Sequence, residues 1–215
     1  MRGITARLPG HRAAVALLLV CGTAVLACGD AQAHGAIKGI NDFHAGMIHP
    51  VTELIHVLPI FVLGMLLGQH GIARTEPALW LFPLALAVGG AMALAVPAFP
   101  SVDAINVVSL ILLGVLVASA RQLPAAILMS LVVAFGVTHG YGNGTALTVD
   151  MRKLMFLSGM ILSGFFVMAY GLIITASLLS KGPAWFAIVV RVLGSWGAAI
   201  GLLVLAVTRK ALFPY

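Results

Sequence analysis

The sequence predicts an all-α integral membrane protein, a bundle of six transmembrane helices that follows a cleavable signal peptide. Of its 215 residues, 61% are hydrophobic and only 8% are charged, whereas roughly a quarter of the residues of a soluble domain are charged. So few charges cannot cover a surface exposed to water. Six long apolar segments favour the same class, because each approaches the ~20 residues that cross a bilayer as a helix.

The six segments are separated by glycines, prolines or charged residues. They cover 48–67, 77–96, 102–120, 123–139, 154–179 and 184–207. Backbone polar groups find no water in lipid, so each segment should be helical. No separate soluble domain is expected, and residues 34–215 are predicted to form one transmembrane domain.

Residues 1–33 have the pattern of a secretory signal. Three arginines precede an apolar core over 13–27, and Ala31-Gln32-Ala33 matches the small-x-small cleavage pattern. Cleavage there leaves His34 as the mature N-terminus, on the periplasmic side of a bacterial inner membrane. A lipoprotein-type cut before Cys28 is the alternative, although the residues before that cysteine fit its signal poorly.

Cysteine and charge usage limit the chemistry. Both cysteines, Cys21 and Cys28, fall inside the leader, so cleavage after Ala33 leaves no thiol. Structural disulfides and thiolate metal sites are then excluded, and nitrogen, oxygen and methionine sulfur remain as ligands. The net charge of +6 forms no Lys/Arg stripe, so nucleic acid is not an expected partner. The basic residues lie at segment ends, where they would meet lipid head groups.

A polar cluster stands at the start of the first apolar segment. His49, Glu53 and His56 are spaced four and three residues apart, so on one helix they share a face. Pro50 suits the first helical position, which would put His49 near the helix mouth. Ionisable groups in a membrane helix are costly and usually line a path or the bundle interior. We therefore expect a metal or proton path here; hydrogen bonding between helices, or pairing of Glu53 with Arg191, is the alternative.

Imidazole with carboxylate and no thiol suits Ni²⁺, Co²⁺, Zn²⁺ or Cu²⁺. Upstream, His34, Asp42 and His44 are secondary metal candidates that would gather an ion outside the membrane. For His34 the alternative is an incidental leader boundary. His70, beside a short loop, is expected to be solvated.

Helix shape and packing can also be predicted. Pro59 is expected to kink the first helix beside His56. Pairs of small residues one turn apart predict close helix packing, and these are Gly64/Gly68, Gly159/Ser163 and Gly197/Gly201.

A second polar cluster, Thr138-His139-Gly-Tyr-Gly-Asn143-Gly-Thr145, ends the fourth segment. Its alternating glycines let the backbone fold back or approach an ion, with His139 as a metal ligand and Asn143 as a secondary one. A glycine-rich turn that caps the helix is the alternative. If the first and fourth helices are neighbours, this cluster reaches the same face as His49.

These residues carry a resemblance. A signal peptide, then His49-Pro50 and His56 opening the first of six helices, resembles the HupE/UreJ family of membrane proteins. Arg121-Gln-Leu-Pro124 before the fourth helix extends the likeness over most of the mature chain. The first family motif reads His-Pro-x-x-Gly-x-Asp-His, and here Glu53 stands at its glycine and Ile55 at its aspartate.

The second family motif reads His-Gly-x-Ala-His-Gly-x-Glu. His139, Gly140 and Gly144 match it, while Asn143 replaces its second histidine and Ala146 its glutamate. The resemblance implies nickel uptake for hydrogenase and urease. The residues missing from both motifs make this chain a divergent member.

The leading hypothesis is an inner-membrane permease or passive carrier for a divalent transition metal, nickel first and cobalt or copper behind it, with no prosthetic group. The alternative is a non-transporting accessory subunit of a metal-dependent membrane complex or of hydrogenase/urease maturation. Either hypothesis is compatible with a homo-oligomer. Catalysis has no positive support, because neither His-Glu-x-x-His nor Gly-x-Ser-x-Gly occurs, so we do not expect an enzyme.

Overall fold

The computed structural model of the protein describes residues 40–96 and 101–212. The predicted signal peptide and His34 lie outside these ranges. Within them the chain forms eight helices and no strand, which confirms the predicted all-α class for this part of the sequence. The helices are α1 (Asp42–Thr52), α2 (Leu54–His70), α3 (Ile72–Thr75), α4 (Ala78–Ala95), α5 (Val102–Ser119), α6 (Ala125–Gly144), α7 (Lys153–Lys181) and α8 (Phe186–Leu212).

The helices are long and apolar enough to make a multi-pass membrane protein. Five candidate spans lie within the described residues: Ile72–Ala95, Val102–Ser119, Ala125–Gly144, Lys153–Lys181 and Phe186–Thr208. Helices α1 and α2 form one further candidate, bent by 75°. Six crossings result when this bent pair is taken as one broken span.

Small residues set the contacts between helices. Gly64 of α2 faces Met168 of α7, and Gly68 faces Leu172 further along the same helix, so α2 and α7 run parallel. A side chain at either glycine would meet the α7 backbone. The close packing predicted from this pair is confirmed.

The remaining helices pair in the same way. Helices α4 and α6 run parallel, because Gly136 faces Phe82 and Gly140 faces Leu86. Helices α5 and α8 run antiparallel, and there Gly201 approaches Ile111. We call the end where α2, α5 and α7 begin the mouth end of the bundle, and the opposite end the far end.

The first apolar segment differs from its prediction. Helix α1 begins at Asp42, capped by the Asn41 side chain, which accepts a hydrogen bond from the His44 N–H. The helix breaks at Glu53, whose backbone is extended, and not at Pro59, which lies inside α2. Pro50 is therefore near the end of a helix and not at its first position. The bend lets both halves pack on α7.

The fourth segment is also longer than predicted. Helix α6 continues through the glycine-rich run to Gly144, so the predicted end at His139 is wrong, and the alternative of a glycine-rich turn there is wrong as well. Gly136, Gly140 and Gly144 are spaced by four residues and all face α4. These glycines therefore allow helix–helix contact and do not reverse the chain.

His70 holds the far end together and is not solvated, contrary to prediction. Its side chain is buried at the end of α2. The Leu123 N–H donates to His70 Nε2 at 2.8 Å. Nδ1 therefore carries the proton and donates to Leu66 O at 2.8 Å. Arg74 adds a bond to Leu123 O at 2.8 Å, so α2 is tied to the start of α6.

Candidate functional site

Three imidazoles form a row at the mouth end. The ring centroids of His49 and His56 are 5.6 Å apart, and those of His56 and His139 are 6.0 Å apart. His49 is half-buried, whereas His56 and His139 are only 4% and 1% exposed. The row thus leads from the end of α1 into the bundle and joins the first and fourth predicted segments.

The common helix face predicted for His49, Glu53 and His56 is wrong, because the chain leaves helical geometry at Glu53. The two histidines meet through the bend between α1 and α2. The Glu53 side chain is half-buried and makes no ion pair or hydrogen bond within the described residues. Arg191 is not its partner, since it donates to Ala118 O at 2.9 Å, near the far end of α5.

Helix α5 supplies two polar side chains that were not predicted, Asn106 and Ser109. Both are buried, with 0% and 1% exposure. The Ser109 hydroxyl donates to Asn106 O at 2.6 Å and lies 2.9 Å from His139 Nε2. Because the single hydroxyl proton is already donated, the imidazole Nε2–H is the donor of the second bond. His139 Nδ1 then carries a lone pair.

Unpartnered polar atoms concentrate at this place. Asn143 donates to His139 O at 2.8 Å, but its Oδ1 has no partner. Neither do His56 Nδ1, His139 Nδ1 and both side-chain polar atoms of Asn106. Buried polar atoms almost always have a partner, so several such atoms at one end of the bundle mark it as a candidate ligand site.

Gly142 of α6 makes room for this cluster. A Cβ there would lie 2.6 Å from Asn106 Nδ2 and 3.3 Å from His56 Cε1. The amide and the imidazole therefore both occupy space next to the bare backbone of α6. We call His56, Asn106, Ser109, His139 and Asn143 the buried polar cluster.

The secondary metal candidates that the structure describes, Asp42, His44 and Asn143, lie in three different environments. Asp42 accepts the Arg152 backbone N–H at 3.0 Å and pairs with the guanidinium Nε at 3.3 Å, so its carboxylate ties α1 to the start of α7. His44 is exposed, and its Nδ1 lies 2.8 Å from Asn41 Oδ1. Asn143 belongs to the buried polar cluster.

Within 40–96 and 101–212, no group of three or more His, Cys, Asp and Glu side chains is arranged to hold one metal ion. The predicted set of His49, Glu53, His56 and His139 therefore does not form a closed shell in this conformation. His56 and His139 instead each offer one unpartnered nitrogen, and the side-chain amides of Asn106 and Asn143 add unpartnered oxygens. Nitrogen and oxygen donors of this kind can bind a transition-metal cation.

Asn106 and Ser109 did have a signal in the sequence. With Asp103 they occupy positions three apart near the start of the third apolar segment, which makes a polar stripe on one helix face. The buried part of the stripe carries no titratable group, so its sequence signal is weaker than that of the histidines.

The fold and site thus define a multi-pass helical membrane protein with a buried imidazole and amide cluster near the mouth end of the bundle. The family model described as HupE / UreJ protein matches residues 20–204, and the chain belongs to this family. The family is associated with nickel or cobalt transport or with metalloenzyme maturation. No individual curated protein and no solved structure matches the chain.

Proposed function

We propose that this protein is a carrier in the bacterial inner membrane for a divalent transition metal. Nickel is the first candidate, and cobalt or copper is the next. The mature N-terminus would be periplasmic, so the mouth end would face the periplasm. The ion would enter at His49, beside Glu53, and pass to His56 and His139.

One observation carries the proposal. His56 and His139 are nearly inaccessible to solvent, yet each has a ring nitrogen without a partner. His70 is the internal comparison, because it is also buried but both of its nitrogens are bonded. A buried histidine can therefore be satisfied in this fold, and the two at the mouth end are not.

The donors suit transport more than permanent binding. Imidazole nitrogen and amide oxygen bind Ni²⁺, Co²⁺ and Cu²⁺, and the described part of the cluster contains no thiolate or carboxylate. A transported ion has to be bound well enough to enter and weakly enough to leave. Neutral ligands offered in pairs meet that requirement.

The test is accumulation of ⁶³Ni²⁺ by cells that make the protein, with His56→Gln and His139→Gln variants compared at equal membrane abundance. We expect both variants to lose most of the uptake. His70→Gln is the matched control, since it removes a buried histidine outside the row, and its uptake per folded protein should be retained. Uptake equal to the unaltered protein in both mouth-end variants would overturn the proposal.

An accessory role in metalloenzyme maturation is the second candidate. The absence of a carboxylate from the buried polar cluster favours it, because a neutral site gains little Coulomb energy from a dication. Purification of the protein with a stoichiometric membrane partner, together with no Ni²⁺ binding by the isolated chain, would select this function over transport.

A further inference from the structure

Asn106 is the least satisfied polar side chain in the described part of the bundle. It is 0% exposed, and neither its amide oxygen nor its amide nitrogen has a partner. An unsatisfied buried polar group destabilises the folded state. A leucine of similar size would avoid that cost, so a ligand-free fold alone gives no reason for an amide here.

The neighbours of Asn106 indicate what it faces. Its Nδ2 lies against Gly142, and the same glycine lies against the His56 ring. Gly142 is on the last turns of α6 between His139 and Asn143, whose unpartnered atoms are Nδ1 and Oδ1. Three helices therefore bring unpartnered nitrogen and oxygen atoms to one place.

Ser109 acts on this place through His139. Its hydroxyl accepts the His139 Nε2–H, because its own proton goes to Asn106 O. This bond fixes the tautomer with Nδ1 as the acceptor. Hydrogen bonds of this kind orient metal-binding histidines and raise their basicity.

We propose that Asn106 is a direct ligand of the cargo ion through its amide oxygen, alongside His56 and His139, and that Ser109 is a positioning residue for His139. The inference rests on the proposed transport function and adds α5 to the pair of His56 on α2 and His139 on α6. The bound species is a divalent transition metal that accepts mixed nitrogen and oxygen ligands.

The first experiment is titration of the purified full-length protein in detergent with CoCl₂ and NiCl₂, read by the Co²⁺ absorption spectrum and by melting temperature. Asn106→Leu should lower the affinity for both ions by at least about tenfold, the range found for disturbed metal sites. Its metal-free melting temperature should equal or exceed that of the unaltered protein. A purely structural asparagine would instead lower the melting temperature and leave the Co²⁺ spectrum unchanged, and that result would overturn the proposal.

Asn106→Asp gives a second, independent measurement. It keeps an oxygen at the same position and adds a negative charge, so Co²⁺ should bind at least several-fold more tightly while the metal-free protein melts at a lower temperature. An aspartate variant that gains no affinity would contradict direct ligation.

Ser109 is tested by loss and rescue. Ser109→Ala should weaken Co²⁺ binding about 10- to 100-fold, and Ser109→Thr, which keeps the hydroxyl, should restore it. Thr175→Val is the matched control, because Thr175 is equally buried but lies against Gly68 toward the far end. Equal loss in the alanine and threonine variants would contradict the positioning role.

The outcomes separate the two proposals. If the unaltered protein binds neither Co²⁺ nor Ni²⁺, the transport function itself fails. If the unaltered protein binds them, His56→Gln abolishes binding and Asn106→Leu changes nothing, only the role of Asn106 fails.

Discussion

The rings of His56 and His139 meet edge to face, with centroids 6.0 Å apart and an interplanar angle of 85°. One ring stands in the first turn of α2 and the other near the end of α6, so the contact brings together the two polar clusters of the sequence. Each ring keeps one nitrogen unpartnered, which means that the contact is not a hydrogen bond between the two. The lone pair on His139 Nδ1 therefore remains available to a ligand.

Glu53 should act on the rate of entry. Its half-buried carboxylate stands at the bend between the two outer histidines and has no partner in the described chain. We expect Glu53→Gln to slow initial ⁶³Ni²⁺ uptake roughly two- to fivefold at low ionic strength and less in high salt, because screening weakens electrostatic attraction. The control is Glu76→Gln, because Glu76 is an exposed carboxylate next to α3 at the far end. A loss that does not depend on salt would contradict a steering role.

Gly142 should tolerate no side chain. In Gly142→Ala the new methyl group would press on the amide of Asn106 and on the ring of His56. Overpacking of this kind costs about 1–3 kcal/mol, so the melting temperature should fall and Ni²⁺ should no longer raise it. Gly197→Ala is the matched control, because the added methyl group would lie 3.4 Å from Val62, at ordinary contact distance. If both variants keep the Ni²⁺-induced rise, the site does not adjoin Gly142.

Gly159 should hold α1 in place. A methyl group there would meet the backbone carbonyl of Phe43 and lie 2.9 Å from the Met47 nitrogen. Gly159→Ala should therefore release α1 from α7, speed hydrogen exchange over residues 42–52 and reduce uptake through displacement of His49. The neighbouring exposed Ser158 gives the control Ser158→Ala. Unchanged exchange in 42–52 would show that α1 does not depend on this contact.

His70 should contribute to the stability of the fold and not to the affinity for the metal ion. His70→Gln disturbs two bonds, to Leu66 O and from the Leu123 N–H, and a buried group left unsatisfied costs about 1–3 kcal/mol. We expect a lower melting temperature with unaltered Ni²⁺ affinity. His44→Gln, at an exposed position, should stay within about 0.5 kcal/mol of the unaltered protein. Lost Ni²⁺ affinity in His70→Gln would mean that the cargo site reaches the far end.

Some features could be predicted because their physical cause is local. Lipid imposes one requirement on every span, so apolar length is enough to predict the five unbroken spans. His56 and His139 could be found because a titratable side chain in an apolar segment is costly. Asn106 and Ser109 could not be found in this way, since neutral polar residues commonly bond between membrane helices.

Other features depend on partners that are distant in sequence. Pro59 is the stronger local signal for a kink, yet the chain bends at Glu53, where α1 and α2 can each pack on α7. Gly140 and Gly144 look like a turn in isolation, and they form a helix because Leu86 and Gly90 of α4 lie against them. The local sequence propensity of a segment carries no information about these packing partners, α7 and α4.

The neutral donors of the buried polar cluster bear on the driving force of transport. His56, Asn106 and His139 carry no negative charge, so in the proposed transport only the two positive charges of the ion would move across the membrane. The membrane voltage then acts on both charges, which amounts to about 4.6 kcal/mol for 100 mV, or roughly a thousandfold in concentration. In the carrier proposed above, with the mouth end toward the periplasm and the cell interior negative, inward movement of the ion would be electrogenic, and the voltage alone would be enough to sustain accumulation of a scarce metal without nucleotide hydrolysis.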